Sequence, residues 1–162
     1  MAAPTAGQGP TVTRATEAEF ALLEQLLQLY LHDFSEHAGG DVDEQGRYSY
    51  AWLDAYREEP ERHAYVIRVD AHPAGFALVR AEDPVQMAEF FVLRKYRRTG
   101  IGARSAREII ALHPGRWSIS QVATNSSATA FWRRVIPAEF EETVHADGTV
   151  EQRFVAEAVP AG

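Results

Sequence analysis

Residues 86–112 join an apolar run, a basic loop with two glycines and a helical pattern, and this succession constrains the fold more than any other part of the chain. The run QMAEFFVL is typical of a buried β-strand. Gly100 and Gly102 allow successive backbone N–H groups to turn inward, and the positive end of the following helix attracts anions. Because Arg97 and Arg98 precede these glycines, the segment predicts a phosphate-binding loop between a strand and a helix.

Three phosphate-binding loops place glycines between a strand and a helix. A Walker A loop requires a lysine after the last glycine, and none follows here. A dinucleotide-binding fingerprint requires a third glycine where the chain has Ser105. The third pattern, Gln/Arg-x-x-Gly-x-Gly/Ala, is matched by residues 97–102. A tight turn without a ligand is the alternative interpretation of the same glycines.

The rest of the chain predicts one mixed α/β domain. Thr16 and Glu19 have the spacing of a capping box, and helical periodicity follows to His32 or slightly beyond. Residues 47–60 predict a second, shorter helix that ends at Pro60. Strands are expected at 11–16, 63–70, 75–82, 86–93, 116–122, 139–146 and 150–158, hairpin turns at 71–75 and 147–148, and further helices at 103–112 and 125–136. The domain is expected to span 10–157, between tails at 1–9 and 158–162.

Charge is distributed unevenly along the chain. The net charge of −7 is carried by residues 1–80, whereas residues 81–162 are neutral as a whole and contain the basic loop. Such a short basic block on an acidic chain argues against a nucleic-acid partner and favours a small polyanion. The sequence has no cysteine, which excludes disulfides and thiolate zinc sites. Since no apolar run approaches about 20 residues and no signal-peptide pattern opens the chain, we expect a cytoplasmic protein without membrane contact. Because the sequence has no cysteine, we also expect no metal.

A second motif follows at the expected distance. The stretch NSSATAFW matches the pattern Asn-x-x-Ala-x-x-Phe-Tyr at Asn125, Ala128 and Phe131. With this motif, the glycine loop and the element order, the chain resembles the Gcn5-related N-acetyltransferase (GNAT) superfamily over roughly residues 10–157. The resemblance implies a single mixed, mostly antiparallel sheet of six or seven strands flanked by about four helices.

The same resemblance implies that acetyl-CoA is the cosubstrate. Its pantetheine arm would lie in a V-shaped split between the strand ending near Val92 and the strand 116–122. The main chain near Val92 and Leu93 would pair with the arm, and the backbone N–H groups of residues 98–103 would hold the pyrophosphate. The coenzyme-binding residues implied are Val92, Leu93, Arg97, Arg98, Thr99, Gly100, Ile101, Gly102, Ala103, Asn125, Phe131 and Trp132.

Acetyl transfer from a thioester to an amine requires a base that removes a proton from the amine. Glu89 lies inside the apolar strand at the expected cleft and is the candidate for this catalytic role. The stretch AEFFVLRKYRRTGIG is similar to diamine and polyamine acetyltransferases, in which two adjacent acidic residues precede Phe-Phe-Val. Ala88 stands in place of the first of these. A charge pair between Glu89 and another strand is the structural alternative.

Trp132 stands where the family usually has a tyrosine that protonates the leaving thiolate. An indole N–H does not serve as a proton donor in this way. Either the thiolate leaves unaided, which its modest pKa permits, or the hydroxyl of Tyr30, Tyr48 or Tyr50 replaces the missing acid. Packing of Trp132 against the coenzyme or in the core remains open at this point.

Acidic and aromatic residues concentrate in the first two predicted helices and their loop. The candidate acceptor-binding residues there are Tyr30, Asp33, Tyr48 and Tyr50. Carboxylates and aromatic faces suit a cationic amine, and we expect the acidic loop with Asp41, Asp43 and Glu44 to lie at the mouth of the site. A solvated acidic loop is the alternative. His32 is either a second base or a cap for the helix end.

These features predict direct N-acetyl transfer, within a ternary complex, to a primary amine of a small cationic molecule. The chain would act as a monomer or homodimer. Acetylation of protein N-termini or lysines is the alternative within enzymes. A catalytically silent acetyl-CoA sensor is the alternative outside them.

Overall fold

The computed structural model describes residues 9–160, so that residues 1–8 and 161–162 of the expected tails lie outside it. In this part of the chain the strands are β1 Thr11–Arg14, β2 Arg62–Val69, β3 His72–Arg80, β4 Val85–Val92, β5 Gly115–Gln121, β6 Phe140–Val144 and β7 Val150–Ala156. The α-helices are α1 Phe20–Phe34, α2 Ala55–Glu58, α3 Ile101–Ala111 and α4 Ser126–Val135. Within residues 9–160 no helix combines the length and apolar character needed to cross a membrane.

The strands form one sheet in the order β1-β2-β3-β4-β5-β7-β6. All neighbouring strands are antiparallel except β4 and β5, which are parallel. These two strands pair only through Val85 with Trp117 and Gln86 with Ser118, so their ladder ends soon after it begins. The mostly antiparallel sheet, its flanking helices and its split between β4 and β5 confirm the fold class predicted from the sequence.

Helices cover both faces of the sheet. The first face carries α1 and α2, with Leu23 and Leu27 packed in one cluster with Phe76. The opposite face carries α3 and α4, whose side chains pack with Trp117 and Ile119 of β5. Burial of one apolar stripe per helix therefore fixes α1 beside the first half of the sheet and α4 beside β5.

The capping box before α1 is present as the sequence predicts. The Thr16 backbone N–H donates to the Glu19 carboxylate at 3.1 Å, and the Thr16 side chain takes part in the reciprocal contact. A 3₁₀ turn, Glu17–Glu19, follows Thr16, and α1 then continues to Phe34. The expected helix end near His32 is confirmed.

The helix predicted over residues 47–60 is largely wrong, because only Ala55–Glu58 forms an α-helix. The side-chain amide of Gln28 explains part of the difference. It accepts from the Tyr48 backbone N–H at 2.8 Å and donates to the Tyr48 carbonyl at 2.9 Å. Both backbone groups of Tyr48 are therefore satisfied by α1, so this residue gains nothing from helical hydrogen bonding.

The hairpin between β2 and β3 turns at a different place from the one predicted. Its turn residues are Asp70 and Ala71, both with positive φ, whereas Pro73 and Gly75 lie inside β3. A Cβ at Gly75 would collide with the carbonyl oxygen of Phe91 on β4. The glycine thus serves close approach between strands rather than the turn. The second hairpin, at Asp147-Gly148, is confirmed, with Gly148 at φ 84°.

The rings of His63 and His113 lie edge to face near β2, with centroids 4.9 Å apart. Arg14 Nη1 donates to His63 Nδ1 at 2.9 Å, and the Tyr65 hydroxyl lies 2.7 Å from His113 Nε2. Burial, together with the charges of His63 and Arg14, lowers the pKa of His113 to about 4. Burial and the charge of Arg14 also lower the pKa of His63. The folded chain therefore binds protons at this pair less readily than the unfolded chain.

We expect the free energy of unfolding to fall as the pH is lowered from about 6.5, the ordinary histidine pKa, to about 4. Over this range the unfolded chain takes up protons that the folded chain does not, so stability rises with pH. Urea unfolding at several pH values measures the slope. His113→Gln should flatten it, whereas His72→Gln, at an exposed histidine, should not. An unchanged slope in His113→Gln would contradict this expectation.

Candidate active site

The split between β4 and β5 opens a cleft of about 320 Å³. A bulge in β4 contributes to it, because Leu78 pairs with Glu89 and Val79 with Met87, which leaves Ala88 as the extra residue. A bulged residue leaves the ladder and increases the local twist of its strand. The cleft is lined by residues of α1, β4 and β5, by Val122 after β5, and by α4 together with its cap Asn125.

The loop between β4 and α3 ends in left-handed backbone. Arg98 has φ 60° and Gly100 has φ 85°. Gly100 is the N-cap of α3 and brings no side chain to the free N–H groups of the helix start. The backbone N–H groups of residues 101–103 consequently have no partner within the helix. Such free donors at the positive end of a helix form a concave binding site for an anion.

The loop is held against the end of β4 and against α4. Thr99 Oγ1 donates to the Tyr96 carbonyl at 2.6 Å. A Cβ at Gly102 would lie 3.5 Å from both the Phe131 ring and a Val92 methyl group, which is ordinary contact distance. The backbone at Gly102 therefore runs close to the two elements that flank the cleft.

Arg97 links this loop to α1. Its Nε donates to the Val92 carbonyl at 2.8 Å, and its Nη2 donates to Asp33 at 2.5 Å. Arg94 donates to the other oxygen of Asp33 at 2.7 Å. Burial acts to raise the pKa of Asp33, but the hydrogen bonds from the two arginines outweigh it and lower that pKa. Both oxygens of Asp33, a candidate for acceptor binding, are thus engaged with the basic loop.

The backbone N–H and C=O groups at the end of β4 point alternately toward its two edges. Leu93 N–H donates to the Ala74 carbonyl at 2.8 Å, so this donor is used by the neighbouring strand β3. Backbone polar groups of successive strand residues alternate between the two edges of the strand. Val92 and Phe90 therefore direct theirs toward the split, where Arg97 already contacts the carbonyl of Val92.

Glu89 projects from β4 to the face covered by α1 and accepts hydrogen bonds from two phenols. The Tyr30 hydroxyl donates to Oε2, and the Tyr50 hydroxyl donates to Oε1 at 3.3 Å. Burial raises the pKa of Glu89, although the two hydrogen bonds act in the opposite direction. Burial, followed by the Glu89 charge, raises the pKa of both tyrosines, so the phenols remain protonated donors. A titratable carboxylate with a raised pKa thus lies in the cleft.

Trp132 lines the cleft from α4 and is buried. Its ring packs against Phe90, with centroids 5.3 Å apart, and against Phe131, with centroids 5.0 Å apart. Asn125 is the N-cap of α4, and its side-chain oxygen accepts from Ala128 N–H at 3.2 Å. The aromatic cluster and the capped helix form the wall of the cleft on the α4 side.

The remaining acceptor candidates lie in the segment between α1 and α2. The Tyr48 hydroxyl lies 3.2 Å from His32 Nδ1, so these two side chains contact each other. Asp43 accepts from two backbone N–H groups of its own turn. Asp41, Asp43 and Glu44 are exposed, and the described lining of the cleft does not include them. In residues 9–160 no group of three or more histidine, aspartate or glutamate side chains could hold a metal ion.

The structure brings Glu89, Tyr30 and Tyr50 into mutual contact and places Trp132 in the same cleft. Sequence reasoning placed the strand 116–122 at one side of the split but named none of its residues, and residues 119–121 line the cleft. The polar residues Ser120 and Gln121 at the end of this strand were the available signal.

The family profile described as "Acetyltransferase (GNAT) family" matches residues 23–135. A search of curated protein sequences returned no match.

Solved structures similar to the chain have the same fold at low sequence identity. An acetyltransferase from Thermus thermophilus has a TM-score of 0.68 and 15% identity, covering 91% of this chain and 97% of its own. The ribosomal-protein-S18-alanine N-acetyltransferase from Escherichia coli has a TM-score of 0.65 and 13% identity, covering 93% and 96%. A spermidine N-acetyltransferase from Vibrio cholerae, in complex with CoA and spermine, has a TM-score of 0.66 and 8% identity, covering 90% and 95%.

Proposed function

The chain belongs to the acetyltransferase (GNAT) family, and we propose that it transfers an acetyl group from acetyl-CoA to a primary amine of a small cationic molecule. One observation carries this proposal. The partly buried carboxylate of Glu89, with its raised pKa, lies in a cleft lined by β4, the strand that leads into the glycine loop. A proton acceptor and an anion-binding loop on one continuous segment are what amine acetylation requires.

Acetyl-CoA would supply the acyl group as a thioester, and the residues present fit its phosphates. The left-handed backbone at Arg98 and Gly100 and the free N–H groups of residues 101–103 would bind the pyrophosphate. Arg98, which is exposed, would add positive charge. The edge of β4 at Val92, whose carbonyl already accepts from Arg97, would pair with the pantetheine arm through its remaining backbone groups. The other implied coenzyme contacts, from Leu93, Arg97, Thr99, Asn125, Phe131 and Trp132, are part of this proposal.

Glu89 would act as the general base. Its carboxylate would accept a proton from the acceptor ammonium, directly or through the hydroxyl of Tyr30 or Tyr50, which both contact it. The two phenols would also hold the carboxylate in one orientation, which lowers the cost of positioning the amine. The neutral amine would then attack the thioester in a ternary complex.

The thiolate would leave unaided. Trp132 packs against Phe90 and Phe131 and has no titratable group near neutral pH. Tyr30 and Tyr50 are directed at Glu89, and their raised pKa values make them poor proton donors to a leaving group. A thiol, with an ordinary pKa of about 8.5, is an adequate leaving group without an acid.

The enclosed surroundings of Glu89 favour a small acceptor over a folded protein. Tyr50 belongs to the segment that crosses from α1 to α2, and its hydroxyl occupies Oε1 of Glu89, while Tyr30 occupies Oε2. Aromatic faces and a carboxylate together suit a cation. We place this activity in the cytoplasm, since a cysteine-free chain requires no oxidising compartment. The acting species would be a monomer or a homodimer.

Release of free CoA from acetyl-CoA, followed with a thiol reagent over a panel of amines, tests the proposal. We expect turnover with one or more diamines or polyamines, and none with peptides that carry free N-termini or lysines. Turnover confined to peptides would establish the protein-acetylating alternative. Coenzyme binding without turnover on any amine would establish the silent sensor.

A further inference from the structure

A row of hydrogen-bonded side chains, with two glutamine amides at its centre, runs from an ion pair to the cleft. Arg133 of α4 forms a bidentate contact with Glu142 of β6, with Nε 2.9 Å from Oε2. Gln152 Nε2 donates to Glu142 at 2.9 Å, and Gln121 Nε2 donates to Gln152 Oε1 at 2.8 Å. The two glutamines are buried, with 0% of Gln152 and 5% of Gln121 exposed. This hydrogen-bonded row therefore connects α4, β6, β7 and β5 on the α4 side of the cleft.

The ion pair fixes which way each amide points. Hydrogen bonds from Arg133 and Gln152 lower the pKa of Glu142 to about 2, so it is an ionised carboxylate that only accepts. Gln152 must present its NH₂ group to that carboxylate and hence its oxygen to Gln121. Gln121 must in turn present its NH₂ group to Gln152. The side-chain carbonyl oxygen of Gln121 is thus directed away from this hydrogen-bonded row.

This oxygen has no hydrogen-bond partner among the described residues, 9–160. A buried carbonyl oxygen without a donor is uncommon in folded proteins, because it has lost its hydrogen bonds to water. Gln121 is one of the residues that line the cleft, at the end of β5 where β4 no longer pairs with it. The side chain that carries the unpartnered oxygen therefore lies at the edge of the split.

The side chains of Gln121 and Glu89 project from opposite faces of the sheet. Gln121 shares its side of β5 with Ile119 and Trp117, which pack under α3 and α4. Glu89 projects to the α1 side, toward Tyr30. A donor that reaches Gln121 must therefore come from a molecule on the α4 side of the cleft, where the coenzyme arm is proposed to lie, rather than from the amine beside Glu89.

We propose that Gln121 Oε1 accepts a hydrogen bond from an amide N–H of the pantetheine arm and thereby positions the arm in the split. This inference rests on the proposed function, since it requires coenzyme A in the cleft. The oxygen is shielded in this structure, so the proposal requires the arm, on entering between β4 and β5, to displace the groups that cover it. The arm carries two amide N–H donors, whereas the nucleotide part of the coenzyme binds at the glycine loop.

Binding of two ligands by calorimetry tests this assignment. Coenzyme A contains the arm, and adenosine 3′-phosphate 5′-diphosphate lacks it but keeps both phosphates of the pyrophosphate. We expect Gln121→Met to weaken binding of coenzyme A about five- to tenfold, the effect of losing one hydrogen bond to a buried group. Binding of the adenosine 3′-phosphate 5′-diphosphate should stay within about twofold of wild type. Gln86→Met is the matched control, because Gln86 lies on β4 before the split and contacts Arg80.

The ratio of the two affinities separates positioning from simple damage to the fold. Equal losses for both ligands, or no loss for coenzyme A, in Gln121→Met would overturn the assignment. If wild-type protein binds the two ligands equally well, the arm makes no net contact and the assignment is also overturned. If wild type binds neither ligand, the proposed function itself fails and this inference fails with it.

Discussion

Replacement of Glu89 by glutamine is expected to lower kcat about 10²–10⁴-fold, the usual loss on removal of a general base. Glutamine keeps the size of the side chain and an oxygen that accepts from Tyr30 or Tyr50, but it cannot take up a proton from the amine. The affinity for coenzyme A should change little, since Glu89 projects to the α1 side of the sheet. Steady-state kinetics with the acceptor found in the amine panel, together with calorimetry, measure both quantities.

The pH dependence should identify the carboxyl group. Burial raises the pKa of Glu89, and only the ionised form accepts a proton. Wild-type kcat should therefore rise with pH through this raised pKa. Glu89→Gln should lack that limb and should recover part of its activity at high pH, where more of the acceptor amine is already neutral.

Two controls separate catalysis from folding. A carboxyl group whose pKa is raised in the folded state destabilises the fold when it is ionised, so stability falls as the pH rises through that pKa. Glu89→Gln should consequently unfold at the same temperature as wild type, or at a higher one, at neutral pH. Glu141→Gln, at an exposed position of β6, should leave kcat unchanged. Full activity of Glu89→Gln at neutral pH would assign Glu89 a structural role.

The sequence predicted those parts of the fold that depend on local patterns. The capping box at Thr16, the strand before the glycines, the helix after them and the Asp147-Gly148 turn all rest on residues close together in the chain. The glycine loop was identified for the same reason, because its arginines and glycines all lie within residues 97–102, and Gly100 has the positive φ that such a loop requires.

Features that depend on distant residues were not predicted. The segment before α2 has helical composition, but the Gln28 amide satisfies both backbone groups of Tyr48 from α1. Gly75 and Pro73 indicate a turn locally, whereas the close approach of β4 to β3 places the glycine within a strand. Tertiary contacts thus override the local propensity at both positions.

The same distinction applies to the cleft. Glu89 was identified from its place in an apolar strand, but its two phenol partners lie 59 and 39 residues away in sequence. The acidic loop was expected at the mouth because of its charge, and Asp43 instead satisfies the backbone of its own turn. Charge composition alone does not distinguish a carboxylate directed at a ligand from one that caps a turn.

Gly100→Asp is expected to abolish coenzyme binding. In wild type, acetyl-CoA at about 100 times its dissociation constant should stabilise the fold by about 2.7 kcal/mol. For a chain of this size that corresponds to a rise of roughly 5–10 °C in the thermal midpoint. Aspartate at the N-cap of α3 would place a carboxylate beside the backbone donors of residues 101–103, where it would both repel the pyrophosphate and accept from those donors. The midpoint of Gly100→Asp should therefore not respond to acetyl-CoA.

Two further variants separate charge at the loop from backbone strain. Gly46 also has a positive φ, of 73°, and like Gly100 has open space around a new Cβ. Gly46→Asp thus introduces the same residue into similar backbone away from the glycine loop, and its midpoint should rise with acetyl-CoA as in wild type. Gly100→Asn matches the shape of aspartate without its charge, so it should keep a reduced response. If Gly100→Asp responds as fully as Gly46→Asp, the glycine loop does not hold the coenzyme phosphates, and its left-handed backbone serves only the turn into α3.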